Sequence, residues 1–419
     1  VPEGPAKLLV ERQGTEWARN NGVTLVVNVR HVDDAVSNDT DIVVFNPAEM
    51  GRLVDAQTLA PLPDSVTSGA SWTFLSRPYQ TKLLGWGAAT YALPLIGDAT
   101  VLIYRADLFA AAKRKPPANL AAFLELAKQF ADERGQPSLP PLGSDDALDR
   151  EFFSAAAAWA VPPLTDADLK NRSVNDPAVI KMYGFHFDVD TGKPRLTDPG
   201  FVHALEWLSK CQSYRATGGT LVEAFKNDRA VFGLGSLGDV AALRPDEHPK
   251  RYAVATIPAA ENGDFVPYIG PGGHIAAVCK SSKQPDAALA LLLYLSDLSS
   301  GLEVVHSPEY GAAPYRAAQL TERADGWLNW GFDRAGTDAL RNALAKVTDP
   351  RVINAPIRLR IRDEAKYRKI LLDGIRHAID KKSDVAATLQ AIADQWEKLD
   401  PRPLPEKRDE YWRSLNLKR

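Results

Sequence analysis

The sequence predicts an α/β fold divided into at least two domains and ending in a helical C-terminal region. Three observations predict it. The chain has 419 residues, more than a single hydrophobic core usually organises. Short β-branched runs alternate with amphipathic helical segments along most of its length. In the C-terminal region the apolar periodicity is helical throughout.

The elements follow in order. VTLVVNV from Val23 and DIVVF from Asp41 are nearly all apolar and end in polar or turn residues, the pattern of strands buried in a parallel sheet. Asn46-Pro47 then offers a helix N-cap with proline at the first helical position. Between Thr90 and Phe109 two further strand-like runs flank Gly97-Asp98, and KPPANLAAFLELAKQFADERG reads as a proline-started amphipathic helix closed by Gly135. Thr191 to Pro194 reads as a hairpin turn. Asp198-Pro199 starts a helix with Phe201, Ala204, Leu205 and Leu208 on one face, and Trp207 belongs to its core side. YAVATIP from Tyr252 and HIAAVCK from His274 read as strands, and Gln284-Pro285 opens another helix. Two C-terminal helices present Ile370, Leu371, Ile375 and Ile379, and then Leu389, Ile392 and Trp396. In open α/β sheets ligands sit beyond the carboxyl ends of the strands. That rule points at Asn46, at Gly97 and Asp98, and at the loop after Ile257.

Composition narrows the function. Apolar residues make up 45% and charged residues 25%, with a net charge of −3 and both signs interspersed. Without a Lys/Arg block, neither nucleic acid nor an anionic membrane is an expected partner. The longest apolar stretches, such as FFSAAAAWAV from Phe152, are too short to span a bilayer. Val1 opens no signal peptide, as in a secreted protein without its leader or in a cytosolic one. The two cysteines, Cys211 and Cys279, admit one bridge; their placement in a helix and a strand predicts two buried free thiols.

Several motifs invite chemistry. Gly233, Gly235 and Gly238 make a G-x-G-x-x-G, yet the apolar run before it is only Ala230 to Phe232, and Pro245 cuts the helix after it. A dinucleotide site needs a long buried strand and a helix N-terminus facing the pyrophosphate, so no cofactor is expected. Asp145 with Asp146, and Asp188 with Asp190, read as solvated turns; the second group lacks the sixth-position glycine of a calcium loop. The histidines include no i, i+4 pair, and Leu234 interrupts any Gly-x-Ser-x-Gly around Ser236. Neither a metal site nor catalysis is expected.

Taken together in this order, several segments resemble the bacterial extracellular solute-binding proteins of the maltose-binding type. Asp41 to Phe45 is similar to that family's first acidic strand, and LVDAQTLAPLPD to the segment after it. YALPLIGDATVLIYRADLF, AFKNDRAVFGLGS, PGGHIAAVCKSSKQPDAALALLLYL and YGAAPYR resemble further family segments, as does the closing ILLDGIRHAIDKKSDVAATLQAIADQW. The chain departs from the pattern at Asp228, where glycine is usual, at Phe232 in place of methionine, and at Arg105 in place of asparagine.

The resemblance implies a periplasmic-binding-protein-like fold: two discontinuous α/β lobes joined by a hinge, with a helical C-terminal region. It places residues 1–104 and 271–318 in one lobe, and 105–270 and 319–419 in the other, with crossings near Tyr104, Gly270 and Arg316. It implies a monomer that captures a small polar ligand, with a carbohydrate favoured, and delivers it to a membrane permease of the ABC type. It further implies a periplasmic or extracellular location, with a lipid anchor on a removed N-terminal segment as one form. A ligand sensor or protein-binding scaffold on the same fold is the alternative, ahead of an enzyme with an inter-lobe cleft. Sugars pack flat C–H faces on aromatic rings and bond their hydroxyls to charged or amide groups. The expected site therefore combines Asn46 and Asp98 from one lobe with Trp159, Ser236, Trp327 and Trp330 from the other, and Gly272 and Gly273 at the crossing.

Overall fold

The computed structural model describes residues 1–417 except 33, 162–163, 166–180, 248–249, 262–264 and 271. Part of the loop after Ile257 therefore lies outside the described residues. The strands are β1 (Ile42–Phe45), β2 (Gly85–Trp86), β3 (Ala89–Thr90), β4 (Ala92–Ile96), β5 (Thr100–Arg105), β6 (Phe232–Ser236), β7 (Tyr252–Ala255) and β8 (His274–Val278). The longer helices begin with α1 (Leu120–Arg134), α2 (Asp145–Ala160) and α3 (Pro199–Cys211), followed by α4 (Pro285–Leu295) and α5 (Leu298–His306). The C-terminal set is α6 (Arg334–Thr348), α7 (Glu364–Lys381), α8 (Val385–Leu399) and α9 (Leu404–Ser414).

Two three-stranded sheets organise the chain, in orders β1-β8-β4 and β6-β5-β7. Each draws on distant stretches of sequence, so the chain passes between them more than once. The first passage occupies Gly97 to Ala99. The expected crossing near Tyr104 is thereby corrected, because Tyr104 already pairs with Phe232 and Ala253 inside the second sheet. The ladders also differ from the parallel sheets expected. In both sheets the middle strand runs antiparallel to its two neighbours. An all-apolar run records that a strand is buried on both faces, not which way its neighbours run.

Local signals explain most elements. The Asn119 side chain accepts from Ala122 N–H at 2.8 Å to start α1, and Gly135 ends it at φ 60°. Val23 to Val29 forms no ladder. Val26 is 72% exposed, and the segment's backbone is bonded near its end to Val1 through Asn28 O and Arg30 N–H. Its β-branched residues favour extended backbone, but only Leu25 and Val27 find partial burial. Cys211 and Cys279 are buried free thiols.

Two of the departures from the family pattern meet in space. Asp228 stands at φ 57°, a conformation that suits glycine, and its carboxylate pairs with the buried Arg105 and with Arg251. Burial opposes the Asp228 charge, but Arg105 and Arg251 outweigh it and hold the carboxyl below its usual range. An aspartate at the left-handed position and an arginine in the strand thus compensate each other.

The C-terminal chain ties the two halves together. Tyr411 accepts from the Phe185 and His186 amides, and Trp412 Nε1 donates to Val189 O at 2.6 Å, next to the Thr191 to Pro194 turn. Just beyond, Arg413 O and Asn416 Oδ1 accept from Gly87 and Ala88 in the β2–β3 turn, at 2.8 and 3.0 Å. Helix α9 is therefore laid across both bodies and does not belong to the second alone.

Candidate ligand site at the strand crossings

Asp98 sits in the first crossing between β4 and β5. Its Oδ1 lies 3.4 Å from both Nη1 and Nη2 of Arg150, and Oδ2 accepts from Gly270 N–H at 3.2 Å. Arg150 projects from the first turns of α2 and also donates to Thr100 Oγ1 at 3.1 Å. Burial works against the Arg150 charge, but Asp98, with Asp239, Asp146 and Asp149 behind it, holds the guanidinium above its ordinary pKa. Gly272 is required for this packing: a Cβ there would stand 2.2 Å from Asp98 Oδ1.

Asn46 approaches from the end of β1. Its Oδ1 caps the following turn by accepting from Ala48 N–H at 3.0 Å, while Nδ2 donates to Gly272 O and Gly273 O at 3.4 and 3.3 Å. Ser236, at the end of β6 opposite Thr100, caps the helix Leu237–Ala242 and donates to Asp239 Oδ2 at 2.7 Å. Beside it, Gly311 comes so near Gly238 that a Cβ would meet Gly238 Cα at 2.8 Å. The structure thus brings Asn46, Asp98, Gly272 and Gly273 together, with Arg150, Thr100 and Ser236 adjoining.

The tryptophans stand elsewhere. Trp327 and Trp330 are 0% and 1% exposed, stacked with centroids 6.1 Å apart, and donate their indole N–H groups to Gln319 O and Val305 O. They fill a core and offer no ring face to a ligand, which corrects their expected place on a cleft wall. Trp159 is half-buried with its ring 5.8 Å from His203. It stands nine positions beyond Arg150, roughly 14 Å along α2.

A buried ionic layer beside the crossings went unread in the sequence. Tyr268 Oη donates to Asp149 Oδ1 at 2.8 Å, Arg368 Nε to Asp149 Oδ2 at 2.8 Å, and Arg358 Nε to Glu364 Oε1 at 2.7 Å. Two signals mark it: the Asp149-Arg150 pair heading the apolar stretch FFSAAAAW, and the alternation Ile357-Arg358-Leu359-Arg360-Ile361-Arg362. Among the described residues no cluster of histidine, cysteine and carboxylate side chains could hold a metal ion.

Lys82 lies at the same junction. Its ammonium is buried, donates to Ala355 O at 2.9 Å and sits 4.2 Å from the centre of the Tyr183 ring. Burial pushes its pKa down to about 7. The unfolded lysine titrates near about 10.4, so between these values the unfolded state binds more protons and stability rises with pH. Below the folded value both states are charged and the rise stops. Urea titrations at neutral pH and about two units higher should show this gain in the wild type, and Lys82→Met should remove it; equal gains in both proteins would refute the assignment.

Residues 26–322, well over half of the chain, match the family model for "Bacterial extracellular solute-binding protein". The chain belongs to that family. Membership places the solute-binding protein outside the cytoplasmic membrane, in the periplasm or the extracellular space. No curated protein matches it in sequence. Its fold is that of the sugar-binding MalE of Xanthomonas citri, at TM-score 0.71 and 15% identity over 97% of each chain. Maltose-bound MalE3 of T. maritima superposes at TM-score 0.69 with 16% identity, covering 95% of this chain and 97% of that one. A solute-binding protein of Agrobacterium radiobacter K84 in complex with ribitol superposes at 0.70 with 17% identity, covering 95% and 97%.

Proposed function

We propose that this solute-binding protein captures a sugar or polyol between two hinged lobes and delivers it, as a monomer, to an ABC-type permease. Residues 1–97 and 271–318 would form one lobe and 98–270 and 319–403 the other, with α9 across both. The observation that carries the reading is the Asp98–Arg150 pair at the point where the chain crosses between the sheets. A carboxylate accepts hydroxyl hydrogen bonds and a guanidinium donates them, so an opened crossing offers both partners that a polyol needs. Asn46, Ser236, Gly272 and Gly273 complete the proposed site. The maltose and ribitol bound by structural neighbours agree with this chemistry. Ligand would favour the closed arrangement by touching both lobes. No catalytic step and no nucleic-acid contact enter the proposal, and a lipid anchor ahead of Val1 is one proposed means of attachment.

A thermal-shift screen of sugars, polyols, amino acids, polyamines and anions tests it. A ligand that binds only the folded protein at about 100 times its Kd adds about 2.7 kcal/mol of stability. At least one sugar or polyol should raise the melting temperature in a saturable way. A response confined to amino acids, polyamines or anions, or to no solute at all, would overturn the reading.

A further inference from the structure

A second concavity lies away from the crossings, under helix α9. It is a cavity of about 180 Å³ between α7, α8, α9 and the turn that follows Phe187. Phe187, Tyr367, Trp396 and Tyr411 line it, each no more than 8% exposed. Their rings pack against one another at 5.2 to 5.9 Å, mostly edge to face. An apolar cavity of roughly 150 Å³ stays dry and takes up benzene, so this one has the size and the lining for an aromatic ring.

Lys193, Glu397, Asp400, Lys407 and Glu410 also border it, and the polar groups of its rings are nearly all engaged. Trp396 Nε1 donates to Tyr367 O, the Tyr411 hydroxyl accepts two backbone amides, and Arg402 holds the carboxylates of Asp400 and Glu410. The exception is the Tyr367 hydroxyl. Tyr367 is 97% buried by its 3% exposure, and its hydroxyl has no hydrogen-bond partner among the described residues. Burial and the nearby Asp400 hold it above its ordinary pKa, so it remains a neutral donor and acceptor. Hydroxyls of a sugar set against these ring faces would go unpaired, which disfavours it there. A ring with a single polar group would leave nothing unpaired.

We propose that this cavity binds a small aromatic molecule of phenol or indole size, with its one polar group on the Tyr367 hydroxyl. The inference is independent of the solute that binds at the crossings. Because α9 also carries the contacts to Gly87 and Ala88, a bound ring braces the helix that spans both bodies.

Calorimetry and ligand-observed NMR on the whole protein, with phenol, indole and toluene as probes, test the site. All three should bind saturably, and phenol should slow amide exchange in α9. Tyr367→Phe should weaken phenol about three- to tenfold and leave toluene unchanged. Leu404→Trp, at a cavity-lining residue that is 46% exposed, should fill the cavity mouth and abolish binding of all three without lowering the melting temperature. Three results would each overturn the proposal: no saturable binding of any probe to the wild type, undiminished binding to Leu404→Trp, or equal phenol affinity in Tyr367→Phe.

Discussion

Arg360→Leu should lower the unfolding free energy by about 3 kcal/mol, the balance between buried carbonyls that lose their donor and the removal of a charge that burial disfavours. The Arg360 side chain is 1% exposed. Its guanidinium donates to Pro47 O at 3.2 Å, Lys82 O at 2.6 Å, Gly85 O at 2.8 Å and Ser414 O at 3.0 Å. No carboxylate among the described residues pairs with it, and burial alone pushes its pKa down to about 9. The fold keeps this charge in place because one planar group closes four carbonyls from three separate stretches of chain. Leucine fills the space and satisfies none of them, and each buried acceptor left alone costs about 1–3 kcal/mol before the structure relaxes or water enters. Arg360→Lys should recover only part of the loss, since a tetrahedral ammonium cannot reproduce the planar fork. Urea unfolding with an unchanged m-value reads the effect directly. A loss below about 1 kcal/mol, the net worth of one ordinary hydrogen bond, would mean that the carbonyls are satisfied otherwise.

The outline of this molecule was legible in its sequence wherever a local rule decides the outcome. Asn46 caps a turn, Gly135 ends α1, and DIVVF, the runs around Gly97-Asp98, YAVA and HIAAV are strands, because caps, left-handed glycines and apolar runs act over a few residues; the prolines before Asn119 do not start α1, whose cap is Asn119. Asn46, Asp98, Gly272 and Gly273 do lie next to one another, since strand ends and crossings coincide in such folds. The tryptophans show the limit. Trp327 and Trp330 lie three apart among polar neighbours, which reads as a surface helix. The segment Ala324–Trp330 is a 3-10 helix instead, and there residues i and i+3 eclipse, so both rings point the same way into the core. Arg150, Arg358 and Arg360 were missed for the opposite reason. Charged side chains are read as solvated by default, and Asp98 and the carbonyl of Lys82, the partners of Arg150 and Arg360, are far away in sequence.

Asp98 carries the second large effect, and the structure gives it two separable parts. Asp98→Ala should cost about 3–5 kcal/mol of stability, because it takes from the buried Arg150 guanidinium its nearest counter-charge. Both partners are buried, at 6% exposure each. Arg150→Met should cost a similar amount by stranding Asp98, and the double variant should lose less than the sum of the two. Strict additivity would show that the 3.4 Å approach contributes no coupling. Ligand binding is then read on Asp98→Asn. The amide matches the carboxylate in shape and keeps one acceptor for Gly270 N–H, while Arg150 loses its nearest counter-charge as it does in the alanine variant. If the carboxylate also receives a hydroxyl of the captured sugar, affinity should fall by about 1–3 kcal/mol, roughly five- to 150-fold, in variant protein shown to be folded under the conditions of the titration. Calorimetric titration against the solute found by screening separates the cases. Unchanged affinity in Asp98→Asn would leave Asp98 as the bolt that holds Arg150 and the Gly270 crossing, and would move the ligand contact to other groups at the same junction.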